Sequence, residues 1–286
     1  MTALIELRDV YFTYEGEKNP ALKGINLEIK EGEFVLLTGP SGCGKSTLCR
    51  LLNGLIPHFY GGDLKGEVIV DGLDVRSTPT YEMAKHVGMV FQNPENQLFN
   101  SSVEREIAFG LESLGFPPDE MEKRVEEVLN AFNLVELRDT PPYMLSGGQQ
   151  QKVAIASIIA LRPKIIVLDE PTANLDPLSA EEILGLLSTL RKDQNITIIL
   201  VEHRLEIALK YASRLIIMKS SEKIADGAPH DILLTKEAEI VGIPPVVEVY
   251  KILKRKFGFS GVTPLTPHDL ASLIENLARR EENERR

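Results

Sequence analysis

Residues Gly39-Pro40-Ser41-Gly42-Cys43-Gly44-Lys45-Ser46-Thr47 fit the pattern G-x-x-x-x-G-K-[ST], with both glycines, the lysine and the hydroxyl in place. Such a loop does phosphate chemistry. Glycines at 39, 42 and 44 open backbone angles closed to other residues, so successive N–H groups can turn inward around an anion. A helix opening at Lys45 adds the positive end of its dipole. Lys45 then reaches the β- and γ-phosphates as a point charge, Ser46 is placed to ligate Mg²⁺, and Thr47 lies toward the α-phosphate. The pattern predicts an ATP site; the competing reading is a glycine-rich turn that binds nothing. Cys43, between two glycines and just ahead of the helix, is expected to be a reactive thiol that labels faster than Cys49 and is shielded by Mg-ATP.

Ile165-Ile166-Val167-Leu168-Asp169-Glu170 sets four buried-strand residues before two carboxylates, at the strand end where α/β folds place ligands. Asp169 is expected to hold the Mg²⁺ shell. Glu170, one residue on and pointing differently, can orient and polarise the water that attacks the γ-phosphate. Taken alone, Asp-Glu-Pro-Thr could equally cap the next helix. Leu145-Ser146-Gly147-Gly148-Gln149 precedes a helix expected from about Gln150 to Leu161, a second glycine-rich N-terminus able to receive an anion.

The elements around these groups fall into a recognisable order. Phe34 to Thr38 is a short apolar run suited to a buried parallel strand before the loop. Val87 to Phe91, Ile165 to Leu168, Thr197 to Val201 and Leu215 to Met218 are similar runs alternating with helical stretches, the mark of an α/β fold with a parallel core sheet. Residues 4 to 38 alternate apolar and polar positions, and Gly66 to Val70 followed by Asp71-Gly72 signals a hairpin, so a small antiparallel layer is expected near the nucleotide. Helical patterns at Val103 to Leu114, at Met121 to Phe132 and after Gly147 make about 92–161 a helical subdomain inserted into the sheet. After about Thr235, Pro244-Pro245 and Thr266-Pro267 open two further helices, so residues 1–235 and 236–286 read as a core domain and a helical appendage. The mixed-sign run Ala278 to Arg286 is expected to be a solvated helix end.

Whole-chain properties narrow the classes. The 286 residues, 43% hydrophobic and 26% charged, are ordinary for a soluble globular protein. No apolar run approaches the roughly 20 residues of a membrane helix. Met1 leads directly into the strand-like Leu4 to Val10, without the basic start and apolar core of a signal peptide, so a cytosolic place is expected. A net charge of −10 argues against a nucleic-acid partner. The two cysteines have no histidine cluster at metal-ligand spacing and read as reduced thiols.

Leu-Ser-Gly-Gly-Gln is the signature of ATP-binding cassette (ABC) ATPases, and residues 4 to 235 resemble that family motif by motif. The resemblance implies that Tyr14 stacks on adenine, Gln92 senses Mg²⁺ and water, Asp176 lies in the loop after the carboxylates, and His203 contacts the γ-phosphate. Each has a plainer reading: a strand aromatic for Tyr14, a loop polar residue for Gln92, a satisfied histidine for His203. Three positions depart from the common pattern: Lys152 for arginine, Asn174 before Leu175-Asp176, and Glu202 before His203 where threonine is frequent. In this family two cassettes, identical or homologous, close head to tail, so Ser146, Gly147, Gly148 and Gln149 of one complete the ATP site of the other. Hydrolysis then removes the charge that bridges them.

Asn53-Gly54-Leu55-Ile56-Pro57-His58, Val90-Phe91-Gln92-Asn93-Pro94-Glu95-Asn96-Gln97-Leu98-Phe99 and Ile107-Ala108-Phe109-Gly110-Leu111 resemble the ATPase subunits of energy-coupling factor (ECF) transporters, as does the short appendage. That implies work at the cytoplasmic face of the membrane, as a peripheral partner of a transmembrane coupling subunit and a small membrane protein that captures a vitamin or transition-metal ion. Asn93 to Phe99 would help receive the coupling helices, with Glu95 as a partner for an arginine. Apolar stripes at Leu270, Leu273, Ile274 and Leu277 and at Val246, Val247, Tyr250, Leu253 and Phe257 would support pairing of cassettes, or pack on their own chain. Two other classes are weighed: a soluble ABC ATPase of DNA repair or translation, which would show a coiled-coil insertion, a tandem cassette or a basic face, and a mainly ATP-binding scaffold half of an asymmetric pair.

Overall fold

A computed structural model describes residues 3–258 and 261–284. Two sheets organise the cassette. The first is antiparallel, with β1 (Ile5–Tyr14), β2 (Leu22–Ile29), β4 (Gly62–Val70) and β5 (Leu73–Asp74) in the order β2-β1-β4-β5. The second holds β3 (Phe34–Thr38), β6 (Val87–Val90), β7 (Ile165–Asp169), β8 (Thr197–Val201), β9 (Arg214–Lys219) and β10 (Glu222–Gly227) in the order β10-β9-β3-β8-β7-β6. Every neighbouring pair in it is parallel except β10 with β9. The predicted fold class is thus the observed one.

Every residue of β3, β7 and β8 is buried, because this sheet is covered on both faces. Strand alternation divides it between two cores. Phe34, Leu36, Ile166 and Leu168 face the helical side, whereas Val35, Leu37, Ile165 and Val167 face the antiparallel sheet and the helix α1 (Lys45–Leu52). Each such fully buried side chain contributes about 2 kcal/mol through apolar burial, so both faces hold the site strands in register.

The Asp71-Gly72 hairpin forms as expected, with both residues at positive φ, 49° and 78°. Between β6 and β7 lie α2 (Val103–Ser113), α3 (Pro118–Ala131) and α4 (Gly147–Ile159), the expected helical insertion. Two of these helices start earlier than their apolar periodicity suggests. Pro118 with Asp119 and Glu120 suits a first turn, and at α4 the cap at Ser146 admits both glycines to the helix. The helix α5 (Pro177–Gln194) links β7 to β8.

Arg214 joins the sheets. Its guanidinium donates to both carboxylate oxygens of Asp226 (2.6 and 2.9 Å), to Glu33 (3.1 Å) and to the Glu28 carbonyl of β2 (2.6 Å). Burial alone would raise the Asp226 carboxyl, but Arg214 and then Lys223 override it and hold it below its ordinary value.

The appendage consists mainly of α6 (Pro245–Phe257) and α7 (Pro267–Glu284). Val247 and Leu265 enter the same core as Phe34 and Leu200, and Tyr250, fully buried, donates its hydroxyl to the Gly261 carbonyl at 2.8 Å. The inner face of the α6 stripe therefore packs on its own chain. Ile274 of the α7 stripe is exposed, while the side chains of Phe257 and Leu277 and those of the Ala278 to Arg286 run lie outside the described residues. Among the described residues no helix is long and apolar enough to cross a membrane.

Candidate active site

Parallel pairing lines up the strand ends that carry the chemistry. Leu37 of β3 pairs with Val201 of β8, Val201 with Asp169 of β7, and Leu168 with Val90 of β6. The residues that follow those ends, the phosphate loop, His203, Glu170 and Gln92, consequently emerge at one edge of the sheet.

The loop from Gly39 to Gly44 leads into α1. Gly39 has φ 148°, and a Cβ there would lie 2.1 Å from the Met218 carbonyl oxygen; Gly44 has φ 104°, and a Cβ would lie 2.4 Å from that of Ala21. No side chain fits at either position. Lys45 is buried, its Nζ donating to the carbonyls of Gly39 (2.8 Å) and Pro40 (3.1 Å). Cys43 departs from expectation. Its side chain is only 4% exposed and turned into the core beneath the loop, 3.9 Å from Lys45 Nζ, so it belongs to the support of the loop and does not face the concavity as a reactive thiol. Cys49 is fully buried, and burial pushes its thiol well above the usual value.

A cleft of about 430 Å³ gathers Tyr14, Ser41, Gly42, Gly44, Lys45, Ser46, Thr47, Gln92, Glu170 and His203. Tyr14, at the end of β1, shares a hydrogen bond with Thr47 Oγ1 (3.1 Å) and accepts one from Arg50 (3.3 Å). Its ring meets Phe12 edge-on at 4.8 Å, which fixes the wall on which a base can stack. Glu170 stands in the left-handed region at φ 53° just after β7, tied by its N–H to the Val201 carbonyl at 3.1 Å. Its carboxylate accepts from Gln92 Nε2 at 2.8 Å and meets His203 Nε2 at 3.0 Å. With the proton on Nε2, His203 donates to Glu170.

Asp169 lies beneath, 7% exposed and close to the Ser46 hydroxyl. Burial pushes its carboxyl above the ordinary value, the Ser46 hydroxyl opposes this, and neighbouring Glu170 adds to it. Asp169 Oδ1 is buried without a hydrogen-bond partner. An orphaned carboxylate oxygen beside a serine hydroxyl fits a hard cation, so Ser46, Asp169 and the nearby Gln92 suit Mg²⁺. Among the described residues no group of three or more His, Cys, Asp or Glu gathers as a metal cluster.

The signature forms a separate patch. Ser146 caps α4, accepting the Gln149 N–H at 3.4 Å, while Gln149 Oε1 accepts the Ser146 N–H at 2.9 Å. The Gln149 side chain is thereby spent on the cap. Gly147 is exposed, and Gly148, half-buried, lies beside Leu175 and Ser179. Asp176 caps α5, accepting the N–H groups of Leu178 and Ser179 (both 3.0 Å) and the Ser179 hydroxyl (2.6 Å). The Ser179 hydroxyl first, then its N–H, hold the Asp176 carboxyl below its ordinary value. None of Ser146, Gly147, Gly148, Gln149 or Asp176 lines the cleft, although Gly147 shares a neighbouring hollow with Gln92. The candidate residues are thus divided between two surfaces.

The segment after Gln92 is firmly shaped. Gln97 Oε1 accepts the Phe91 N–H and its Nε2 donates to the Met89 carbonyl, both at 3.3 Å. Buried Glu106 accepts the N–H groups of Phe99 (3.0 Å) and Asn100 (2.7 Å). Phe99, two-thirds exposed, stands edge-on to Phe109 at 4.8 Å, and Glu95 is exposed. Sequence reasoning missed Glu106, Glu202 and Arg204. Only Glu202 left a trace, as a departure from the common residue before His203.

Residues 22–173 match the family described as ABC transporter. A provisionally named ABC transporter ATP-binding protein of Pyrococcus horikoshii is 46% identical over 256 residues, 88% of this chain and 90% of that protein. A similarly named protein of Methanosarcina mazei is 42% identical over 96% of this chain, which spans only 46% of its length. Among solved structures, cbiO1 of Clostridium perfringens, part of the ABC transporter complex cbiONQ, aligns with a TM-score of 0.75 and 32% identity, covering 90% of this chain and 97% of cbiO1. The ATP-binding cassette MJ0796, seen as a post-hydrolysis dimer with ADP and Pi, aligns with a TM-score of 0.69 and 33% identity over 78% of this chain and 98% of that one.

Proposed function

This chain belongs to the ABC transporter ATP-binding family, and we propose that it is the ATP-hydrolysing subunit of an ECF-type importer of a vitamin or transition-metal ion, working as a pair of cassettes beneath membrane subunits. The observation that carries the hydrolytic part is the double hold of Gln92 and His203 on the Glu170 carboxylate, at the mouth of the phosphate loop.

The loop N–H groups and the α1 N-terminus receive the phosphates, and Lys45 exchanges the Gly39 and Pro40 carbonyls for β- and γ-phosphate oxygens. Tyr14 offers its ring to adenine. Glu170 takes a proton from water as the water oxygen bonds to the γ-phosphorus and the bond to the β–γ bridging oxygen breaks, leaving ADP and phosphate. Gln92 and His203 keep the carboxylate aimed at that water, and His203 can donate to a γ-phosphate oxygen. Ser46, Asp169 and Gln92 would hold a Mg²⁺ ion, which would supply positive charge against the phosphates.

Because the signature and Asp176 lie on a surface apart from the cleft, a second cassette, identical or homologous, is the natural source of the missing half of each site. Exposed Phe99 and Phe109, with Glu95 nearby, suit helices of a transmembrane coupling subunit, and likeness to cbiO1 supports an ECF-type assembly at the cytoplasmic membrane face. Purification from membranes followed by mass spectrometry tests the reading. Recovery with a coupling subunit and a small substrate-binding membrane protein supports it; recovery with DNA-repair or ribosomal proteins sinks it.

A further inference from the structure

Glu170 and His203 meet at the cleft mouth, where the His203 side chain is 43% exposed and that of Glu170 20%. A contact so close to water contributes only about 0–1 kcal/mol, too little to fix its own geometry. The rigidity comes from behind. Glu202, 2% exposed, accepts the N–H groups of His203 (2.8 Å) and Arg204 (3.0 Å) on one oxygen and the hydroxyl of fully buried Thr172 on the other. Thr172 lies two residues beyond Glu170. Arg204 closes a second tie, its guanidinium donating to the carbonyls of Thr172 and Leu175. The turn that carries His203 is thereby fastened to the segment running from Glu170 to Asp176 at two points.

We infer that Glu202 is a positioning residue for hydrolysis, holding His203 against Glu170 and, together with Arg204, coupling that pair to the loop that ends at Asp176. A buried carboxylate is retained where its hydrogen bonds are satisfied, and here all three donors belong to the two segments that must stay in register. Loss of Glu202 would leave two backbone N–H groups without their acceptor and the buried Thr172 hydroxyl unpaired, and the His203 turn would relax toward water.

This inference rests on the hydrolytic reading of Glu170 and His203, so the experiment separates the two. ATP turnover of the full chain is measured for Glu202→Ala, His203→Ala and their double variant, with melting temperature alongside. Displacement of the pair should lower kcat of Glu202→Ala about tenfold or more, with KM for ATP within about twofold. The double variant should lose no more than about threefold beyond His203→Ala, because the two changes act on one element. Glu202→Gln keeps an oxygen for both N–H groups and should recover most of the loss. Should Glu202→Ala not fold, Thr172→Val, which removes one donor and keeps the shape, replaces it with a smaller loss in the same direction. Normal turnover in His203→Ala would overturn the hydrolytic reading itself. A slow His203→Ala beside a normal Glu202→Ala, losses that multiply in full, or a Glu202→Gln as slow as Glu202→Ala would overturn the positioning role alone.

Discussion

His203 Nε2 and Glu170 Oε1 stand 3.0 Å apart, brought together by adjacent parallel strands from positions 33 residues apart in the chain. Glu170 follows β7 directly and His203 comes two residues after β8, so their encounter depends on sheet register and on no local motif. His203 is exposed and could hydrogen bond to water, so its contact with Glu170 is not one that burial requires.

The first prediction follows. Glu170→Gln preserves shape and the Gln92 contact but removes the proton acceptor, so turnover should fall by about 10² or more. ATP should still bind and still close the cassette pair, as seen by gel filtration with Mg-ATP. Wild-type turnover in a folded Glu170→Gln protein would exclude Glu170 as the base.

A second prediction concerns the two surfaces. Lys45→Ala disables the loop, whereas Gly147→Glu places a negative charge at the anion-receiving end of α4, where a new Cβ meets nothing within 4 Å. Each variant alone should be inactive. Mixed, they should regain ATPase activity, because one site of a mixed pair combines an intact loop with an intact signature. A mixture as inactive as its components would argue that sites are not shared between chains.

The phosphate loop, the carboxylate pair, the apolar runs of the core strands and the inserted helices were all legible beforehand, since each follows from local residue types and apolar periodicity. Side-chain direction was not. Cys43 lies in a loop whose backbone faces the phosphate, but burial beneath that loop decides where its thiol points. The tie between Glu202 and Thr172 spans 30 positions and depends on the β7–β8 pairing, which no spacing rule exposes. Val247 illustrates the same limit: its helical stripe is plain in the sequence, yet only the packed core shows what the stripe covers.

The buried position of Cys43 gives a third prediction. With Cys43 at 4% and Cys49 at 0% exposure, maleimide should label the folded protein slowly at both thiols, and both should react readily in denaturant. Rapid labelling of native Cys43, slowed by Mg-ATP, would show instead that the loop opens to expose it.

A fourth prediction is one of pH. Arg214 and Lys223 hold the Asp226 carboxyl below its ordinary value, so its contribution to stability is present above the unfolded pKa and is lost as pH falls through the folded one. Asp226→Asn should cost about 2 kcal/mol at neutral pH, a typical figure for hydrogen bonds to charged groups. Urea melts should show the gap between wild type and variant full above about pH 5, shrinking as pH falls below about 4 and vanishing in stronger acid. A gap that does not change with pH would mean that packing at this position, and not charge, is what matters.

The appendage presents two faces that can be tested apart. Val247 and Tyr250 are fully buried against their own chain, whereas Val249 and Ile252 on the same helix are 43% and 46% exposed. Removing residues 240–286 would strip both faces at once and uncover core, confounding pairing with stability. Val249→Glu with Ile252→Glu charges only the outer face, and surface changes of this kind stay within about 0.5 kcal/mol of stability. The doubly substituted chain should therefore keep its melting temperature and ATP binding while its dimer content without nucleotide, measured by light scattering, falls. Tyr250→Ala should do the reverse, costing about 3–5 kcal/mol as large aromatic truncations in cores do. If the outer-face variant dimerises as well as the wild type, the appendage serves only to cover its own cassette.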